Sequence, residues 1–158
     1  MRVTLSLRGD YAVRAMLALA TADGIGTLRP TSVRRMASEM AIPVRFLPHV
    51  MADLGRAGLV VGSTGRGGGY RLARLPASIS LLEVVDAVET SDVAPRCVLR
   101  GGHCRPNGRC AVHDVFAAAS AAMRSELART SLADVADGHG GVTTRLTSVP
   151  PHRAERHV

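Results

Sequence analysis

Residues 31–73 constrain the fold more than any other stretch, because they read as helix, break, helix and glycine-rich hairpin in immediate succession. Thr31 or Ser32 can cap a short helix through Met40, with Val33, Met36 and Met40 on one face. Ala41-Ile42-Pro43 breaks it. A second helix is predicted from about Arg45 to Ala57, with Phe46, Leu47, Val50, Met51 and Leu54 as its apolar positions. Pro48 falls in its first turn, where a missing N–H costs least, and Gly55 and Gly58 end it. Leu59-Val60-Val61 is a short β-prone run, Thr64 to Gly69 a turn, and Tyr70-Arg71-Leu72-Ala73 the return, making a β-hairpin with Arg66 at its tip. Two helices joined by a tight break form a helix-turn-helix. Followed at once by such a hairpin, they make a winged helix.

The flanks are helical. Val13, Met16, Leu17 and Ala20 recur at helical spacing within residues 9–22, closed by Asp23-Gly24, and residues 25–30 form a loop. Ser80 and Glu83 form a capping box that opens a helix to about Glu89. Residues 90–110 are rich in Pro, Gly, Arg and Cys and carry no apolar period. From Ala111 to about Ala128, Val112, Val115, Phe116, Ala119, Met123 and Leu127 mark a long alanine-rich amphipathic helix, whose stripe suits a core or a partner subunit. Ser131 to Ala136 adds one short turn of helix, and the chain from Asp137 reads as a loose tail. The expected fold class is mainly α with a small β-hairpin.

Charge separates the two halves. Residues 1–75 hold eleven Arg against four acids, and residues 76–158 hold nine against nine, so the whole net charge of +7 lies in the first half. Such a half-chain suits a polyanion, most often nucleic acid. There is no lysine, which genome bias explains. Four aromatic rings (Tyr11, Phe46, Tyr70, Phe116) are too few and too scattered for a single-strand RNA stacking platform. No charge-free run approaches the roughly 18 apolar residues of a membrane span. Arg14 interrupts the apolar start, which makes a poor signal-peptide core, and the chain is placed in the cytosol. The glycines at 65–69 are no phosphate loop: no Gly-Lys-Ser/Thr follows, and no G-x-G-x-x-G precedes a helix. They suit positive φ in the turn and close approach to DNA.

All three cysteines, Cys97, Cys104 and Cys110, lie within fourteen residues, and His113 follows, in the pattern C-x6-C-x5-C-x2-H. An odd number in a cytosolic chain is no disulfide framework. Three thiolates and an imidazole suit an iron–sulfur cluster or zinc, and the spacings are wider than structural zinc knuckles use. Arg96, Arg100, Arg105 and Arg109, with Asp92, supply +3 against the −3 of three thiolates. Two other readings stand beside the cluster. One is a zinc-stabilised or metal-free thiol switch. The other is a cysteine enzyme built on Cys110 and His113, for which no third group or substrate signature appears.

These residues together resemble the Rrf-two family of winged-helix regulators, which has IscR-like and NsrR-like branches. The marks are Met1-Arg2-Val3-Thr4 with Asp10-Tyr11-Ala12-Val13-Arg14-Ala15-Met16, then Gly67-Gly68-Gly69-Tyr70-Arg71-Leu72-Ala73, then three cysteines before a long helix, then Ser131-Leu132-Ala133-Asp134-Val135. The resemblance covers about residues 1–136. It implies a homodimer paired through the long helix, palindromic operators on double-stranded DNA, and an iron–sulfur cluster that senses nitric oxide, redox state or iron–sulfur supply. Cys110 to His113 matches the IscR-like arrangement, in which three Cys and a His hold a two-iron two-sulfur cluster. Asp10 matches the position of the NsrR-like aspartate, given by the partner subunit to a four-iron four-sulfur cluster. The first cysteine spacing is one residue longer than usual. Thr64 replaces an arginine common before the wing glycines, and Pro48 replaces a polar reader, so the operator differs from those of both branches.

The chain is therefore expected to divide into a DNA-binding winged helix (1–75), a cluster loop with dimerisation helix (76–136) and a tail (137–158). Cys97, Cys104, Cys110 and His113 are the expected ligands, with Asp10 as the alternative fourth. Arg34, Arg35, Arg45, Phe46, His49, Arg66 and Arg71 are the expected DNA contacts. Arg45 and His49 would read bases, and Arg34, Arg35, Arg66 and Arg71 would meet phosphate or minor groove.

Overall fold

The computed structural model describes residues 5–24, 30–89 and 111–137. They form six helices and one hairpin: α1 (Leu7–Gly24), α2 (Val33–Glu39), α3 (Leu47–Arg56), β1 (Val60–Ser63), β2 (Gly69–Leu72), α4 (Leu81–Val88), α5 (His113–Arg129) and α6 (Leu132–Asp137), with a 3-10 turn at Pro76–Ser78. The mainly helical winged-helix architecture is the one expected. Residues 90–110, with all three cysteines, and the tail from residue 138 lie outside the described residues.

Helix α1 is central. Tyr11, Ala12 and Ala15 to Ala20 are all buried, rather than one stripe. The alanines let neighbours close in on several sides, and α2, α3, α4, α6 and β2 all pack against it. Arg14 is buried inside this run. Its guanidinium donates to both oxygens of Asp10 at 2.9 and 2.8 Å and to the Met40 carbonyl at 3.3 Å. A buried charge is tolerable only when paired and hydrogen-bonded in this way.

One core crosses residue 75. Ile79, Val84, Val88 and Leu132 belong to the same buried cluster as Met16, Met36, Leu47 and Leu54. Two helix starts are stitched together at its edge. Leu81 N–H donates to the Thr130 carbonyl and Leu132 N–H to the Ile79 carbonyl, at 3.0 and 2.8 Å. Each start is capped. The Ser80 hydroxyl accepts from Glu83 N–H while the Glu83 carboxylate accepts from Ser80 N–H, and Ser131 and Asp134 repeat the exchange. The hydrogen bond from Arg74 and those from Ser80 lower the pKa of Glu83. The Ser131 hydroxyl and N–H lower that of Asp134.

The hairpin pairs Val60 with Leu72 through Ser63 with Gly69. Ser32 caps α2, and Thr31 is not the cap: it pairs with Tyr70 as an extra rung of the wing. That rung explains Gly69, where a Cβ would stand 2.4 Å from the Thr31 carbonyl oxygen. At Gly68 a Cβ would stand 2.5 Å from the Ser63 oxygen, while Gly65 and Gly67 have φ of +96° and +86°. All four glycines are thus accounted for by the protein's own backbone.

Candidate nucleic-acid interface

The turn between α2 and α3 is a tight helix stop. Ala41 takes φ 52°, and Ile42 N–H donates to the Ala37 carbonyl at 3.0 Å. This is a Schellman closure with alanine where glycine is usual. Arg14 supplies a cation to the same helix end through Met40.

Helix α3 begins without a side-chain cap, at Phe46, with Pro48 in its first turn. Phe46 is half-buried, and its ring lies 5.6 Å from that of Tyr11. The Arg45 guanidinium carbon sits 4.8 Å from the centre of the same ring. Such a cation–π contact holds an exposed arginine at the helix start. Phe46, expected among the DNA contacts, therefore stands as the shelf under Arg45. Pro48, His49 and Ala52 are exposed beside it, while Leu47, Val50, Met51 and Leu54 are buried.

The arginines divide into two sets. Arg8, Arg14, Arg35, Arg56, Arg74, Arg124 and Arg129 are ion-paired. Arg34 on α2, Arg45 before α3, and Arg66 and Arg71 on the wing are exposed and have no carboxylate partner among the described residues. Arg35, expected with them, is exposed but pairs with Glu39 at 2.7 Å. The unpaired cations thus collect on the helix-turn-helix and its wing. Asp53 joins two of the paired arginines: Arg8 meets it across 45 positions, a pair that no local spacing signals, and Arg56 meets it at i, i+3.

Of the five expected cluster ligands, Asp10 and His113 are described. His113 is the first residue of α5 and half-buried. Asp10 lies in the first turn of α1, its carboxylate held by Arg14. Among the described residues no three Cys, His, Asp or Glu side chains gather as a metal site. The chemistry of the donor set, three thiols with an imidazole or a carboxylate, fits an iron–sulfur group.

Comparison with known proteins places this fold. The family model Rrf2, described as an iron-dependent transcriptional regulator, matches residues 5–138. Rv1287 of Mycobacterium tuberculosis, an HTH-type transcriptional regulator by name, is 38% identical over 134 residues, 85% of this chain and 81% of that one. IscR of Escherichia coli is 34% identical over 112 residues, 71% of this chain and 67% of that one. Among solved structures, IscR of T. potens superposes with TM-score 0.70 at 26% identity, covering 86% of this chain and 88% of that one. CymR of B. subtilis, titled the global cysteine regulator, superposes at 0.71 and 24% identity over 87% and 98%, a likeness of fold. The chain belongs to the Rrf2 family, the Rrf-two family that its sequence resembles. It is a DNA-binding transcriptional regulator of the helix-turn-helix type, and its relatives are regulators rather than enzymes. No helix among the described residues is long and apolar enough to cross a membrane.

Proposed function

We propose that the chain is a homodimeric cytoplasmic repressor that grips palindromic operators and lets an iron–sulfur cluster set its grip. The observation that carries the DNA half is that Arg34, Arg45, Arg66 and Arg71, exposed and without a carboxylate partner among the described residues, all lie on the helix-turn-helix and its wing. Residues 45–49 enter the major groove, with Arg45 and His49 reading bases. Arg34 and Arg35 meet phosphates, and Arg66 and Arg71 follow the adjacent backbone or minor groove. Arg45, held on Phe46, is poised for the bidentate pairing with guanine that arginine makes.

Helix α5 supports the dimer. It buries none of its seventeen residues, and Val115 and Met123 are 69% and 42% exposed. A second copy antiparallel to it would cover them and give the two-fold symmetry that a palindrome mirrors. The ligands are Cys97, Cys104 and Cys110 with His113 as fourth, which favours a two-iron two-sulfur group. Asp10, given by the partner subunit in that role, would favour four irons. Bound there, the group supplies a centre that reacts with nitric oxide and oxidants. His113 opens α5, and Arg124 of α5 clasps Asp86 of α4 at 3.0 and 2.8 Å. Helix α4 packs on α1 and α3, so a shift at the ligand end of α5 has a packed route to the reading helix. Two arrangements of that route, with different DNA affinity, constitute the switch.

Binding-site selection from a random duplex library tests the DNA half. The wild-type chain should recover a palindrome. Arg45→Ala should relax one base position per half-site by about 5- to 150-fold, the range expected when a bidentate pair to guanine is removed. An unchanged preference removes Arg45 from the readers.

A further inference from the structure

Asp53 is a carboxylate buried on a helix that otherwise faces solvent with neutral and basic groups. Its side chain is 7% exposed, and both its oxygens are taken: one accepts from Arg8 of α1, the other from Arg56 of α3. The two arginines remain 55% and 79% exposed. A guanidinium carries five N–H donors in a rigid fork, so contact with one carboxylate oxygen leaves most of them free. Two positive charges over one negative leave this trio with a surplus of one.

Its position on α3 gives that surplus a direction. His49, Asp53 and Arg56 stand at i, i+4 and i+7, one stripe along the helix. Asp53 therefore draws the exposed Arg8, near the start of α1, to the flank of the face that presents His49. When the start of α3 lies in a groove, that flank meets the groove wall, which is phosphate.

We propose that Arg8 and Arg56 are phosphate contacts and that Asp53 is the positioning residue that holds them beside the reading face. This extends the DNA interface to α1, and it rests on α3 being the helix that enters the groove. A tie between α1 and α3 with no DNA role would need no exposed forks, and one arginine would satisfy it. Here two converge from different helices, and both keep their outer donors in water.

The test uses the full-length protein, the selected duplex and a random-sequence duplex, with affinity followed between 50 and 200 mM salt. Arg8→Gln and Arg56→Gln keep a donor toward Asp53 and remove the charge. Each should flatten the slope of log K against log salt by about 0.9 for each phosphate left without its arginine, on both duplexes. Asp53→Asn should lower the ratio of selected to random affinity while steepening the slope on random duplex, since a negative charge leaves and the arginines lose their posts. Unchanged slopes in both glutamine variants, with only the unfolding midpoint moved, would overturn the proposal and leave a structural tie. Where Arg8→Gln fails to fold, Arg56→Gln at the exposed end of α3 decides the same question. A wild-type chain that binds neither duplex in a salt-dependent way would instead sink the groove reading itself.

Discussion

Helices α3 and α5 have similar apolar patterns in sequence and opposite surroundings. Helix α3 sinks Leu47, Val50, Met51 and Leu54 into the core beneath its exposed His49. Helix α5 is longer and buries nothing, and it touches the body chiefly through α4 and the Arg124–Asp86 pair. A helical period tells that a stripe exists, not what covers it. The first helix is completed by its own chain, and the second leaves Val115 and Met123 exposed, the residues the proposed dimer would cover.

The contrast can be broken by substitution. Leu54→Ala should cost about 2–5 kcal/mol of unfolding free energy in a urea titration, as a cavity at a fully buried leucine does. Val115→Glu should leave the unfolding of the monomer within about 0.5 kcal/mol while moving the dimer toward monomer in sedimentation. A dimer that tolerates the glutamate places the subunit contact elsewhere. Smaller in effect, Gly69→Ala pushes a methyl into the Thr31 carbonyl and should cost about 1–3 kcal/mol, as overpacking does. It should also loosen the wing, read as weaker binding at unchanged base preference. An alanine that costs nothing would mean that the rung between Thr31 and Tyr70 does not hold.

The smallest effect concerns the capping carboxylates. Glu83 and Asp134 titrate below their ordinary values in the folded chain because their anions accept hydrogen bonds, from Arg74 and Ser80 and from Ser131. Depressed folded values mean that their contribution is complete above the unfolded carboxylate range and is lost as pH falls from there through the lower folded values. Stability should decline modestly below about pH 4, and the double replacement Glu83→Gln with Asp134→Asn should flatten that decline. An identical acid profile in the double variant would show that these caps add nothing.

Most of the winged helix was legible because its signals are local. The Ser32 cap, the break at 41–43, Pro48 in a first turn, the glycine hairpin and the Ser80 box each sit within a few residues of the element they set. Long-range facts were not. Thr31 reads as a cap until Tyr70 arrives beside it, and Gly68 and Gly69 read as open positions until the Ser63 and Thr31 carbonyls occupy the space. Arg14 reads as an interruption in an apolar run, yet it is the buried pin between Asp10 and the end of α2. At the candidate interface, residue types and their place on α2, α3 and the wing were readable. Which arginines keep their charge free was not, since that depends on Glu39, which pairs locally, and on Asp53, which pairs both locally and far away. The cysteines were legible only as chemistry and spacing.

In the proposed function, the neutral half of the chain governs the basic half through a cluster. Anaerobic purification, with iron, zinc and sulfide assayed alongside affinity for the selected operator before and after cluster removal, tests it directly. Cluster control requires a coloured protein with equal iron and sulfide, and operator affinities that differ by about 5- to 150-fold between the two states, the usual span of coupling between sites. A colourless, iron-free chain that binds the operator equally well before and after reconstitution would contradict it, and zinc in its place would point to the thiol-switch regulator.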